Sequence, residues 1–456
     1  MSDELLRDRR QLLRMALAFG AGALMPRFAA GRGVVARGRV RSGGRGLEGV
    51  AVTDGLSVVR TDPTGHFEIP TTMRRRFLSA CVPKGFAIPR KGGVAGCFRP
   101  IAERPVCFDL EPLGAPDDRH AFLAIADPQP ADAAQAAMFE DAVPDMAATV
   151  RSLGVPAFAM TCGDIVGDAP ALYAAHERSA EGIGVPVLHL AGNHDDPRLV
   201  RRFGPDRYSF DRGAVHYVAL DNVRRHRGSY EGRIGSEQLA WLAADLALVE
   251  QGRPVVVFAH IPLLSTLHAR NGRSPQPWNT TADREALARL LEPYRARFVA
   301  GHMHEHDHAR FGAIREHVVG AVCGAWWQGP VNLDGTPNGY AVFEVKGESF
   351  RWRFKPTGSA DRLRLYPRGP DGCVVANVWD WDPDWQVTWF EEGGARGPME
   401  RFQGTDPLRA RAAEPHATGH LFRAKPAPST RSVRVEARDP WGALHVATVD
   451  PREPRC

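Results

Sequence analysis

The segment Gly301-His302-Met303-His304-Glu305-His306-Asp307-His308 sets four imidazoles at alternate positions. A tract of this kind either ligates a metal or decorates a solvated loop, and the rest of the chain decides between the two. Asp127 and Gln129 occur in AIADPQP, Asp164 in MTCGDIVGD, Asn193, His194 and Asp195 in HLAGNHDDP, and His260 in VFAHIPL. Each motif closes a short apolar run. Carboxylate, amide and imidazole groups without a competing thiolate cluster suit one or two divalent ions such as Mn, Fe, Zn or Mg. In GNHD the glycine permits a tight turn that aims an amide oxygen and an imidazole from adjacent positions. Any one of these motifs is weak evidence. Five in order, each at the end of a run, are hard to obtain by chance.

The elements that must position them are legible between residues 118 and 345. The runs HAFLAIA, PAFAMTC, PVLHLA, VHYVAL, PVVVFA and ARFVAG read as strands. Helical periodicity falls between them at about 133–153, 170–183, 236–250 and 282–295. Strands alternating with helices predict a layered α/β domain whose ligand site lies at the carboxyl ends of the strands. Residues 34–112 show short alternating stretches broken by glycine and turn signals, the pattern of a small all-β sandwich. Residues 350–452 return to strand patterns, with 396–420 reading as a long loop. The expected units are 33–115, 116–347 and 348–456, after an N-terminal segment 1–32.

The order Asp-x-Gln, Gly-Asp, Gly-Asn-His-Asp, His, Gly-His-x-His over residues 120–345 resembles the calcineurin-like metallophosphoesterase family, and the flanking sandwiches look like the modules of one bacterial branch of it. The N-terminal one is similar to transthyretin-like, carboxypeptidase-regulatory modules, in the phrases GLEGVAVTDG and TDPTGHFEIP. The resemblance implies a four-layer αββα domain with a two-metal centre. Asp127, Gln129, Asp164 and His304 would hold one ion. Asp164 would bridge to the other, completed by Asn193, His260 and His302. His194 would stand near the leaving group, oriented by Asp195. Two ions about 3.5–4 Å apart can activate water as hydroxide and neutralise phosphoryl oxygens. A histidine held by a carboxylate can protonate the leaving oxygen. Gln129 departs from the histidine most of the family carries. An amide oxygen is a poorer ligand than imidazole for Zn or Fe, which implies a looser first site favouring Mn or Mg.

His306 and His308 follow the turn after the matched motif and read as a solvated loop, where His306→Ala would be close to silent. Histidines 189 and 216 lie inside strands and read as core or edge residues. On the substrate side, Trp326 and Trp327 could wall the cleft and Asp334 could bond a substrate hydroxyl. Arg224, Arg225 or Arg227 could meet phosphate, although a solvated surface fits an arginine-rich chain better.

Composition bounds the rest. The chain has 456 residues, 43% apolar and 24% charged, the profile of a globular protein of several domains. Residues 1–32 carry six arginines against three acids, so only about +2 of the net charge of +5 lies elsewhere. That leaves no argument for nucleic acid as a partner. Arg9-Arg10 ahead of the apolar run 15–25 and of Ala29-Ala30-Gly31 resembles a twin-arginine export signal, with a run too short for a transmembrane anchor. The expected location is therefore the periplasm or another exported compartment. Cys81, Cys97 and Cys107 are close enough in sequence for one pair to bridge there. These readings converge on an exported phosphomonoester or phosphodiester hydrolase acting on a small phosphorylated or envelope-derived substrate. Two alternatives stand beside it: a diphosphate hydrolase of nucleotide-sugar type, and a degenerate phosphoesterase that binds glycan or cell envelope.

Overall fold

The computed structural model describes residues 33–453 except 73, 102–104, 199, 393 and 411–415. The proposed export segment, 1–32, lies outside them.

Two sheets stacked face to face form the centre of the molecule. The first runs Ser349–Pro356, Gly339–Lys346, Arg119–Ile125, Ala157–Cys162, Val187–Leu190, Val94–Ala95, Arg90–Lys91. The second runs Tyr208–Arg212, Val215–Ala219, Pro254–Phe258, Arg295–Ala300, Ile314–Val318, Asp307–Phe311. Aromatic side chains fill the space between them. Phe122 stacks on Phe343 at 4.5 Å between centroids, and Phe158 meets Phe210 edge-on at 5.1 Å. Each such fully buried ring contributes about 2–3 kcal/mol through removal from water.

Helices cover both outer faces. Ala133–Leu153 starts at Asp132, whose carboxylate accepts the Gln135 N–H, and stops at Gly154 in the left-handed region. Its buried stripe Ala136, Phe139, Val143 and Met146 lies on Leu123, Ile125 and Ala159 of the first sheet, beside Tyr173–Ile183. Ser236–Leu246 and Arg284–Leu291 bury Trp241, Leu242, Leu287 and Leu291 against Val255, Val257 and Phe298 of the second. The four-layer αββα arrangement is thus present, and the helices match the periodicity in the sequence.

An all-β module lies on each side, each built of two four-stranded sheets. The boundaries differ from those expected. Ser349–Pro356, placed by sequence in the C-terminal module, pairs along its whole length with Gly339–Lys346 and belongs to the central sheet. On the other edge, Val94–Ala95 of the N-terminal module pairs with Val187–Leu190. Strands Gly394–Pro398, Glu400–Thr405 and Ala417–Ala424 occupy much of the stretch expected to be a loop. Cys81, Cys97 and Cys107 are free thiols. Among the described residues no helix is long and apolar enough to cross a membrane.

The histidines inside strands are structural. His189 meets His176 at 2.9 Å in a buried contact. His216 lies between Asp211 and Asp245, each 2.9 Å away. Burial alone would push the His216 imidazole down, but Asp245 and Asp211 outweigh it and hold it at about 9. A histidine raised in the folded state stabilises fully below its unfolded value, about 6.5, and that contribution is lost as pH rises through about 9. The urea midpoint should therefore fall between pH 7 and pH 9.5, and His216→Gln should flatten that slope. A parallel slope in both proteins would contradict the assignment.

Candidate metal centre

The expected ligands come together at the carboxyl ends of five parallel strands. Asp127 and Gln129 follow Arg119–Ile125, Asp164 follows Ala157–Cys162, and Asn193 follows Val187–Leu190, all in the first sheet. His260 follows Pro254–Phe258, and His302 and His304 follow Arg295–Ala300, in the second. The backbone is strained there. Asp127, Gln129, Asp164, His302 and His304 all have φ between 43° and 74°. Among the described residues the other non-glycine cases are Asp168, Trp326 and Trp327, which border the same site. Left-handed backbone at such residues is uncommon, and it clusters where surrounding structure forces side chains toward a function.

Glycine makes the close approach possible. A Cβ on Gly192 would collide with the Asp164 carboxylate, and one on Gly301 would lie 2.7 Å from Asp127 Oδ2. Gly192 and Gly301 are thus the floor on which a neighbouring carboxylate rests, and a Cβ on Gly163 would strike the His260 ring in the same way.

Each histidine uses one nitrogen on a backbone carbonyl and keeps the other for the site. His260 Nδ1–H donates to Cys162 O at 2.8 Å, His304 Nδ1–H to Gly324 O at 2.5 Å, and His302 Nε2–H to Trp278 O at 2.9 Å. Bonds of this kind fix the tautomer and ring plane of metal-binding histidines. Burial pushes His302 down to about 3 and His304 down to about 4, so both imidazoles are neutral, as ligation requires. His260 Nε2 faces Asn193 Oδ1 at 3.0 Å and Asp164 Oδ2 at 3.4 Å.

The donor set fits a divalent cation. Asp127 and Asp164 are both fully buried carboxylates, and burial pushes Asp127 up to about 7 against the pull of His260. Asp164, His260 and His302 offer ligand atoms within 4.8 Å of one another. Gln129 Oε1 is buried without a hydrogen-bond partner, an arrangement that costs free energy unless a cation accepts the lone pair. Replacing this neutral oxygen by imidazole should tighten metal binding. Gln129→His is expected to retain more Zn or Mn than the parent after equal dialysis, and equal retention would show that residue 129 is no ligand.

His194 lies over this set, with its backbone N–H on Asp164 Oδ1 at 2.9 Å. Its carboxylate partner is Asp168, with Oδ2 at 2.6 Å from Nδ1, and not Asp195 as expected. After the GNHD turn the Asp195 side chain points inward. It accepts the N–H groups of Gly192 at 2.8 Å, Ile165 at 3.1 Å and Val166 at 3.3 Å, and the Tyr173 hydroxyl at 3.0 Å. Asp195 thereby braces two ligand loops against each other. Arg225 has a similar role, donating to the carbonyls of Gly192 and Asp195 rather than facing a substrate.

The histidine tract divides in two. His302 and His304 join the metal site. His306 and His308, expected in solvent, are held against the C-terminal module by Asp380, whose Oδ1 lies 3.0 Å and 3.2 Å from their Nε2 atoms. Gly320 N–H donates to His306 Nδ1 at 3.3 Å, so His306 Nε2 keeps its proton and has no lone pair for a cation. Next to them Arg270 binds Glu305 and Asp307 and reaches Ala417 O. Asp334 is also removed from the substrate side. It is fully buried and accepts from His306 N, Thr336 and His420, because the C-terminal module closes over it. Trp327 is half-buried, with Nε1–H on Pro128 O at 2.8 Å, whereas Trp326 is exposed over His304 at 4.6 Å between ring centroids.

Three residues bordering the site were missed from sequence. Asp168 was available in GDIVGD, four positions past Asp164. Tyr230 and Trp278, whose rings lie 5.8 Å and 6.3 Å from His302, come from a hairpin and an irregular segment with no periodic signal.

Comparison with known proteins gives three family matches along the chain. The calcineurin-like phosphoesterase family matches residues 120–306, its N-terminal module 34–112 and its C-terminal module 316–444. A probable cyclic nucleotide phosphodiesterase of Synechococcus sp. is 30% identical over 115 residues, or 24% of this chain and 43% of that protein. The chain thus spans less than half the length of this curated relative. Among solved structures, the 5′-nucleotidase of Candida albicans aligns at 12% identity and TM-score 0.33, over 52% of this chain and 50% of its own. The phosphopantetheinyl hydrolase of Mycobacterium tuberculosis aligns at 14% and 0.29, over 45% and 91%. Scores this low carry no argument beyond the family matches. Matched in order from residue 34 to residue 444, this chain belongs to the calcineurin-like phosphoesterase family, in the branch with both flanking modules.

Proposed function

We propose that the protein is exported and hydrolyses a phosphomonoester or phosphodiester with two divalent ions. Asp127, Gln129, Asp164 and His304 would hold one ion, and Asp164, Asn193, His260 and His302 the other. Such ions, when bound, activate water and neutralise phosphoryl oxygens. The chain supplies the rest. His194, with Nδ1–H held by Asp168, presents Nε2 to the leaving oxygen and delivers the proton that departure requires, an effect of about 10²–10⁴-fold. Asp195 and Arg225 hold the turn that carries His194. The observation that carries this reading is the convergence of two buried carboxylates with an unpartnered buried amide oxygen at the ends of parallel strands. Export rests on Arg9-Arg10 and the apolar run after them.

The test is hydrolysis of a nitrophenyl phosphomonoester and a bis-nitrophenyl phosphodiester by metal-stripped protein, with Mn, Zn, Mg or Fe restored singly. Metal-dependent turnover is expected, and the preferred ester divides monoesterase from diesterase. No turnover together with binding of fewer than two metal equivalents would replace this reading with a binding protein.

A further inference from the structure

Ten tryptophans occur in the chain, and just two, Trp278 and Trp326, are exposed, at 43% and 39%. Both touch a ligand histidine. Trp326 lies over His304 with ring planes inclined at 33°. Trp278 accepts the His302 Nε2–H on its carbonyl, and its ring stands edge-on to His302 and His268. Tyr230 adds a third ring edge-on to His302. Aromatic rings therefore border both histidines of the Gly-His-x-His motif.

The exposure of Trp326 is imposed by the fold. Trp326 and Trp327 have φ of 53° and 61°, both left-handed, which is unusual for one bulky residue and more so for two in succession. Trp327 fixes the turn: its backbone N–H donates to Cys323 O at 2.7 Å, its indole N–H to Pro128 O, and its ring packs on the core that includes Val322 and Tyr340. With Trp327 pinned inward, the preceding indole, Trp326, is directed out beside His304. Strained backbone and a solvent-facing indole are both unfavourable, and they persist at functional sites where a ligand makes use of them.

Resting on the phosphoesterase reading above, we propose that Trp326 and Trp278 form a stacking platform that selects phosphates bearing a planar ring, a nucleobase above all, over the same phosphates without one. Every base has a π face, so a platform of indoles binds bases by stacking without reading their edges. A sugar can also pack its C–H face on an indole, but it needs hydrogen-bonding groups for its hydroxyls in addition. The carboxylate best placed by sequence for that task, Asp334, is buried and bound by His306, Thr336 and His420.

The experiment measures adenosine 5′-monophosphate and ribose 5-phosphate as competitors of nitrophenyl-ester hydrolysis by the Mn-loaded full chain. The two probes differ by the base alone. The nucleotide is expected to bind roughly five- to a hundredfold more tightly, the range of base–indole stacking. Trp326→Ala should collapse that ratio toward one, Trp326→Phe should preserve most of it, and Trp278→Ala should reduce it. The ratio cancels any general effect of a substitution on the site. Equal constants in the parent would overturn the proposal, as would a ratio that survives in both alanine variants. Continued hydrolysis with a ratio of one rejects the platform alone, whereas absence of metal-dependent hydrolysis rejects the phosphoesterase reading beneath it.

Discussion

Asp164→Asn lowers kcat/KM by at least about 10³-fold, equivalent to about 4 kcal/mol of transition-state stabilisation. The substitution is nearly isosteric, and an amide oxygen can still accept the His194 N–H that Asp164 Oδ1 accepts now. What it removes is the negative charge next to His260 and Asp127. In the proposed arrangement that carboxylate would serve both ions, so its neutralisation should reduce metal content as well as rate. His260→Ala reaches the same end from the opposite sheet, by deleting an imidazole whose ring is fixed on Cys162 O. Metal content by atomic absorption and turnover should fall together in both variants. Near-normal turnover in either one would mean that the site has been assigned to the wrong residues.

Asp380→Ala is expected to destabilise the protein by about 3–5 kcal/mol. The carboxylate is 2% exposed and accepts from His306, His308 and the Phe354 N–H. Behind it the donors run in one direction: Arg297 Nη1–H to His317 Nε2 at 3.3 Å, then His317 Nδ1–H to His308 Nδ1 at 3.2 Å. Every imidazole in this order has both nitrogens used. Removal of the single acceptor at its end strands three buried donors at once. His306→Ala should likewise lower the urea midpoint, and should not be the silent change a solvated loop would predict. An unchanged midpoint in Asp380→Ala would show that the C-terminal module is not secured through this network.

The convergence of the candidate ligands was legible because glycine and a polar residue punctuate the ends of apolar runs, and strand ends in a layered α/β domain are where such groups converge. Their left-handed backbone was not legible, since aspartate, glutamine and histidine carry no mark of it. The resemblance implied Asp195 as the partner of His194, but a tight turn sends neighbouring side chains to opposite sides and leaves that place to Asp168. Asp334, His306 and His308 were misread for a different reason. Their environment is supplied by Asp380 and His420, which no local pattern connects to them. The boundary near residue 348 was misplaced because a strand gives the same alternating signal at the edge of a central sheet as in a sandwich.

The contact between Asp380 and the histidine tract bears on the order in which the protein is completed during synthesis. Asp127, Asp164, Asn193 and His260 emerge from the ribosome on strands that can pair as they appear, because domains fold as units from the amino end. The loop with His302 and His304 emerges next, but the groups that hold its far half, Asp380, Ala417 and His420, are made last. A nascent chain halted before residue 363 would contain every ligand and lack the clamp on two of them. The proposed ion site would reach its final form only in chains whose translation has included the last module.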